Sequence, residues 1–173
     1  MELLCTKDIS EITVTELTGK AAINRKTFYL HYDRIEDVIA DFGEDLFLLA
    51  QEVLLKAIDK KSGTVNISTL FSVLNRTIEE NLEFFRVFVR SGAYHIFVSS
   101  AVRRKYVSGL HVFLASRIND TALAPYVVEY MTSGVAAMYV KWLCTDLPSV
   151  SLDELSKSAC TLVNSTLGGT ARI

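Results

Sequence analysis

Apolar residues recur every three or four positions along most of this chain, which is the spacing of the buried face of a helix. Val14, Leu17 and Ala21 mark the first such short segment. Thr13, followed three residues later by Glu16, forms a capping box, so this helix is expected to begin at Val14. The pattern over the whole chain predicts an all-α protein.

A second short helix is predicted almost immediately after the first. Asn24 is a favourable N-cap for a helix over residues 25–31. Because seven residues do not form a stable helix alone, this helix must dock through Ile23, Phe28 and Tyr32. The other side chains are then expected to face outward: Arg25, Lys26, Thr27, Tyr29 and His31. Two short helices joined by a tight turn are the arrangement that helix-turn-helix proteins place in the DNA major groove.

This stretch resembles the helix-turn-helix of the tetracycline-repressor (TetR) family of transcriptional regulators. The family pattern has threonine-valine at the first helix, alanine and an aliphatic residue near the turn, and threonine-phenylalanine-tyrosine-x-histidine in the second helix. The matching residues are Thr13, Val14, Leu17, Ala21, Ile23, Asn24, Arg25, Thr27, Phe28, Tyr29, His31 and Tyr32. The resemblance covers about residues 3–40, and the remaining chain fits the family in architecture only.

The chain departs from the family pattern in three places. Ala22 stands in the turn where glycine is usual, and alanine tolerates a left-handed backbone less well. Ile35 stands where lysine is usual, so either the neighbouring Arg34 replaces that phosphate contact or the contact is lost. Only residues 2–5 precede the loop at 6–10, so either an N-terminal segment is missing or the domain lacks most of its first helix.

The resemblance implies a homodimeric, ligand-responsive transcriptional regulator, expected to be a repressor, on a palindromic operator. It places a DNA-binding domain at residues 1–37 and a helical effector-binding and dimerisation domain at 38–173. The expected DNA-binding residues are Thr13, Thr15, Asn24, Arg25, Lys26, Thr27, Tyr29, His31 and Arg34. Arg25 is expected to read guanine, and Tyr29 and His31 to position the DNA backbone.

The middle of the chain is expected to hold a long connecting helix and an effector pocket. Asp33, with Glu36 as a capping box, would start the long helix, which ends near Gly63. Ser68 would cap the next helix, and another is expected over residues 93–118. The aromatic residues that follow either line an apolar cavity or fill a core. The expected pocket residues are Phe71, Phe85, Phe88, Tyr94, Phe97 and Tyr106.

Two amphipathic helices are predicted at the C-terminal end. Pro125 suits the first turn of one, which ends near Cys144, and Ser151 with Glu154 caps the other. These helices either form a four-helix interface with a second subunit, which is favoured, or only close the core of the monomer. The expected interface residues are Tyr130, Gly134, Ala137, Met138, Trp142, Leu155, Ala159 and Leu162.

Composition and charge narrow the function further. The 173-residue chain has a net charge of −2, but the stretch from Lys20 to Arg34 carries +3, from four basic residues and one acidic residue. No apolar run is long enough to span a membrane and the first residues do not form a signal peptide, so a cytoplasmic location without a membrane partner is expected. The expected partners are therefore operator DNA, a second copy of the chain and an unknown small-molecule effector.

Candidate chemistry is sparse. Cys5, Cys144 and Cys160 lack metal-type spacing and are expected to be buried, reduced thiols. The sequence has no nucleophile–base pair and no glycine-rich phosphate loop, so an enzyme, a cofactor and a metal site are not expected. The alternative function is a helical sensor or adaptor that binds a small molecule or a protein without binding DNA. The short first helix and the acidic balance of residues 1–37 favour that alternative.

Overall fold

The structure is a computed structural model that describes residues 2–41, 52, 66–94, 114, 115, 117, 118 and 120–170. Throughout these ranges the regular secondary structure is helical, which confirms the predicted all-α class. A 3₁₀ turn at Ile9–Glu11 comes first. The helices are α1 Val14–Lys20, α2 Arg25–His31, α3 over residues 35–41, α4 Ile67–Glu80, α5 Leu82–Arg90, α6 Ala124–Cys144 and α7 Leu152–Thr170.

The predicted helix starts of α1, α2 and α7 are confirmed by their caps. Thr13 Oγ1 accepts a hydrogen bond from Glu16 N at 3.2 Å, and Glu16 Oε2 accepts one from Thr13 N at 3.1 Å. Ser151 and Glu154 repeat this reciprocal pair at α7. The hydrogen bond from the Ser151 backbone also lowers the pKa of Glu154. Asn24 Oδ1 accepts from Lys26 N at 2.8 Å and caps α2.

The start of α3 differs from the prediction. Asp37 Oδ2, rather than a Glu36 carboxylate, accepts hydrogen bonds from Asp33 N at 3.0 Å and Arg34 N at 2.9 Å. The helix begins one residue later than Asp33 would require, and this displaces the capping carboxylate by one position. The predicted Asp33–Glu36 capping box is therefore wrong.

The start of α4 also differs, and much of the predicted middle region lies outside the described residues. Asn66 Oδ1 accepts from Thr69 N at 3.1 Å, so Asn66 and not Ser68 is the N-cap. Of the long helix predicted after Asp33, the structure describes residues 35–41 and 52, all of them helical. Most of the helix predicted over residues 93–118 lies outside the described ranges.

Helices α3 to α7 share one hydrophobic core, and no residue of α1 or α2 belongs to it. Ile9 and Ile39 from the N-terminal region are buried in the same cluster as residues of α4, α5, α6 and α7. Ile9 N donates a hydrogen bond to the Ser91 carbonyl oxygen at 3.1 Å. The next residue, Gly92, has φ +77°, and an added side chain there would also meet the Asp8 carboxylate. The N-terminal segment is therefore held against the end of α5.

None of the helices in the described ranges is long and apolar enough to cross a membrane.

A buried polar network joins α4, α6 and α7. Asn75 Nδ2 donates to Ser156 Oγ at 2.8 Å and to the Leu152 carbonyl oxygen at 3.2 Å. The Tyr139 hydroxyl donates to Asn75 Oδ1 at 2.8 Å, and burial raises the pKa of Tyr139 well above its usual range. Because each buried polar group has a partner, the network favours one packing register of these helices.

Replacing Asn75→Ala is expected to lower the free energy of unfolding by about 2–3 kcal/mol, because the Tyr139 and Ser156 hydroxyls lose their shared partner in the core. Urea denaturation followed by circular dichroism measures this loss as a lower midpoint. Ser158→Ala, at an exposed position of α7, is the control and should leave the midpoint unchanged. Equal midpoints for the two variants would contradict the importance of the network.

Candidate nucleic-acid interface

The turn between α1 and α2 is short and contains a left-handed residue. Ala22 has φ +53°, a conformation that costs a residue with a Cβ about 1 kcal/mol. Ile23 N donates to the Thr18 carbonyl oxygen at 3.0 Å. The Thr18 hydroxyl is buried and donates to the Val14 carbonyl oxygen at 2.8 Å. The bond from Ile23 N holds the start of the α2 segment against α1, whereas the Thr18 hydroxyl bonds within α1.

Phe28 is the residue through which α2 docks. Only 3% of Phe28 is exposed, and its ring meets those of Tyr29 and Tyr32 at centroid distances of 5.3 and 5.6 Å. The predicted docking of Ile23 is wrong, since 44% of that residue is exposed. The backbone of Ile23 is held against α1 through Thr18, and its side chain is left outside.

Tyr32 ties the end of α2 to α3. Its phenol donates a hydrogen bond to Asp41 Oδ2 at 2.6 Å. Ile39, two residues before Asp41, is buried in the main core. The orientation of α2 therefore depends on Phe28 at its centre and on Tyr32 at its end.

The side chains predicted to face outward on α2 are all exposed: Arg25, Lys26, Thr27, Tyr29 and His31. In the part of the chain that the structure describes, neither Arg25 nor Lys26 forms an ion pair. Lys20 Nζ lies 2.7 Å from Glu2 Oε2, and the exposed Arg34 has its Nε 3.8 Å from Asp37 Oδ1. Of the four basic residues from Lys20 to Arg34, Arg25 and Lys26 are therefore the two that are free to meet an anionic partner.

Thr13 and Thr15, the candidate phosphate contacts near α1, have different surroundings. Thr13 Oγ1 donates to Glu16 Oε2 at 2.9 Å, so the hydroxyl proton of Thr13 already forms a hydrogen bond within the chain. Glu16 also pairs with Lys7, and hydrogen bonds from Lys7 and Thr13 lower the pKa of Glu16 to about 2. A carboxylate at this place disfavours a phosphate beside Thr13. Thr15, two residues after Thr13, is exposed. DNA contact by any of these residues stays a prediction.

Two of the aromatic residues predicted to line an effector pocket lie in the hydrophobic core of the described chain. Phe71 is buried and stacks on Tyr139 at 6.4 Å, and Phe88 is buried and stacks on Phe84 at 6.1 Å. Both residues belong to the hydrophobic core, and their assignment to an effector pocket stays a prediction. Two further expected pocket residues, Phe85 and Tyr94, are half-buried, whereas Phe97 and Tyr106 lie outside the described residues.

A cleft that the sequence pattern did not indicate opens beside α1. Its volume is about 450 Å³, and apolar side chains supply most of its wall. It is lined by Glu2, Leu3, Leu4, Ile9, Ile12, Leu17, Lys20, Ala21, Ile35, Val38 and Ile39. Periodicity could not reveal it, because it forms where the N-terminal segment, α1 and α3 meet.

The residues expected at the dimer interface range from exposed to fully buried in the single chain. The exposed members are Tyr130, Gly134, Ala137 and Leu162, and the half-buried members are Met138, Trp142 and Leu155. Trp142 Nε1 donates to the Val150 carbonyl oxygen at 2.9 Å. Ala159 is 0% exposed and lies in the core of the single chain, so its assignment to the interface is wrong.

The three cysteines are free thiols, and the expectation that they are buried is wrong, because none of them is buried. Cys5 and Cys144 are exposed and Cys160 is half-buried. Cys144 is exposed because it lies on the outward side of the last turn of α6. Cys5 lies in the turns before the 3₁₀ segment.

The chain is similar to a protein of Bacillus subtilis (strain 168) called "Uncharacterized HTH-type transcriptional regulator YxbF". The two are 30% identical over an alignment of 173 positions, which covers 95% of this chain and 42% of the relative. The chain thus spans less than half the length of that protein. No family model matches the chain, and no solved structure matches it. The likeness supports a helix-turn-helix regulator and does not single out the TetR family.

Replacing Tyr32→Phe is expected to loosen α2, because its link to Asp41 is lost while the half-buried ring remains. Amide hydrogen exchange within α2 should accelerate about fivefold, the factor for one hydrogen bond worth ~1 kcal/mol, with α4 to α7 unaffected. Tyr126→Phe, at an exposed tyrosine of α6, is the matched control. If both variants exchange like the parent chain, the hydrogen bond does not hold α2.

Proposed function

We propose that this chain is a TetR-type transcriptional regulator that binds a palindromic operator as a homodimer and is released by a small-molecule effector. Residues 1–37 would bind DNA, and residues 38–173 would bind the effector and the second subunit. The single observation that carries the proposal is the exposed, cationic face of α2, on a helix held in place by Phe28.

Electrostatics support α2 as the reading element. Arg25 and Lys26 are exposed without an ion pair in the described part of the chain, so a phosphate or a guanine edge need not displace an acid. Because the net charge of the whole chain is −2, attraction to DNA must come from this local surface. Affinity should therefore be modest for one subunit and depend on two subunits that bind together.

The surface of α6 supports a second copy of the chain as a partner. Apolar residues lie on the exposed as well as the buried side of this helix, and exposed apolar surface is a common site of protein–protein contact. One side packs on the core through residues such as Val128 and Leu143, while Tyr126, Tyr130 and Ala137 stay exposed. A symmetric partner would cover this side and would present two copies of α2 to successive major grooves.

Two contacts supply a route by which an effector could change DNA binding. Tyr32 joins α2 to α3 through Asp41, and Ile9 joins the N-terminal segment to the end of α5 through Ser91. An effector that favours one arrangement of the helical region would shift these contacts and thereby the spacing of the two α2 helices. Half-sites lie about 34–36 Å apart, so a displacement of a few ångströms would weaken binding, as expected of an inducible repressor.

Replacing Arg25→Ala is expected to lower affinity for operator DNA by roughly 5- to 150-fold, the range for loss of one bidentate arginine–guanine contact. Mobility-shift titration at fixed salt, with DNA that flanks the gene of this protein, measures the change. Lys157→Ala, at an exposed cation of α7, alters net charge equally and should have little effect. Equal losses in both variants would argue against base reading by Arg25. Failure of the parent chain to bind any duplex would favour the sensor or adaptor function.

Replacing Ala137→Glu is expected to convert the dimer to a monomer, because it puts a charge in the apolar side of α6 that the second subunit would cover. Sedimentation velocity measures the change, and circular dichroism should show unaltered helix content. Ser72→Glu adds the same charge to an exposed position of α4 and should leave the dimer intact. A parent chain that sediments as a monomer at all concentrations would refute the proposed assembly.

A further inference from the structure

Leu30 is the most exposed apolar residue on α2, with 80% of its surface accessible. Successive residues of a helix are separated by about 100°, which fixes the direction of each side chain around α2. Lys26 precedes the buried Phe28 by two positions and Leu30 follows it by two, so each points about 160° away from Phe28. Lys26 and Leu30 therefore occupy the middle of the outward face.

An exposed leucine on its own needs no explanation. The position of Leu30 is informative because this face carries the free cations that would draw α2 toward DNA. Lys26 and Leu30 are four residues apart and so are neighbours on the helix surface. A surface that contacts Lys26 would therefore also contact the apolar side chain of Leu30.

The major groove offers one apolar group to such a side chain. Each base pair shows its own pattern of donors and acceptors there, and thymine adds a C5-methyl group. Leucine has no hydrogen-bonding atom in its side chain, so a donor or acceptor beneath it would lose its water without gaining a partner. The methyl group of thymine is the complementary surface.

We propose that Leu30 is a specificity-determining residue that packs on a thymine methyl group in the major groove, beside a phosphate contact made by Lys26. This inference rests on the proposed function, since it presumes that α2 enters DNA. It adds a preference that hydrogen bonding cannot supply. Each half-site should contain a thymine whose recognition depends on its methyl group.

The test removes the methyl group from the DNA and the leucine from the protein in turn. Sites bound by the full 173-residue chain are first selected from a random duplex pool, and each thymine of the selected site is then replaced by uracil. At one thymine per half-site, uracil should weaken binding of the parent chain about fourfold, the factor for burial of one methyl group. Leu30→Ala should weaken binding to the thymine duplex by at least the same factor. This variant should bind the thymine and uracil duplexes with equal affinity.

The control is Leu147→Ala, which changes a leucine that is 92% exposed in the loop between α6 and α7. This variant should bind like the parent chain and keep its sensitivity to uracil. If the parent chain binds a selected site but no thymine is sensitive to uracil, the inference is overturned and the proposed function stands. The same holds if Leu30→Ala keeps the parent's sensitivity. If selection enriches no sequence, both the inference and the proposed function fail.

Discussion

The burial of Phe28 is the interaction on which the candidate DNA-reading surface depends. Seven residues form too few internal hydrogen bonds to persist as an isolated helix, so α2 exists because this ring is held in the interior. Its neighbours in sequence are consequently forced outward, and they include the two free cations and Leu30. One buried ring thus both stabilises α2 and determines which side chains a partner meets.

The docking of α2 extends into the rest of the molecule through α3. Tyr32 reaches Asp41, while Ile39 on the same helix is part of the core that α4 to α7 share. A second connection joins Ile9 to Ser91 at the end of α5. Because the core is closely packed, helices within it move as units rather than deform gradually. A change of packing near α5 would therefore reach the N-terminal region through at least these two contacts.

The position of α6 explains why its residues are difficult to assign from a periodic pattern. Apolar residues on one side of this helix pack on the core, and apolar residues on the other side remain at the surface of the chain. Periodicity identifies residues that avoid water, but it does not distinguish a neighbour in the same subunit from one in a second subunit. Ala159 and Leu162 are both expected interface residues of α7, yet the first is in the core and the second is exposed.

Local signals were sufficient for the helical class, for the starts of α1, α2 and α7 and for the outward side of α2. These features depend on hydrogen bonds and angles within about four residues, which the order of amino acids specifies directly. Only the structure revealed the outward position of Ile23, the use of Asp37 in the α3 cap, the place of Phe71 in the core and the cleft beside α1. Most of these depend on contacts between segments that are distant in sequence, and the Asp37 cap depends on the exact residue at which a helix begins. A helical pattern of apolar residues specifies neither the contacts between distant segments nor the exact residue at which a helix begins.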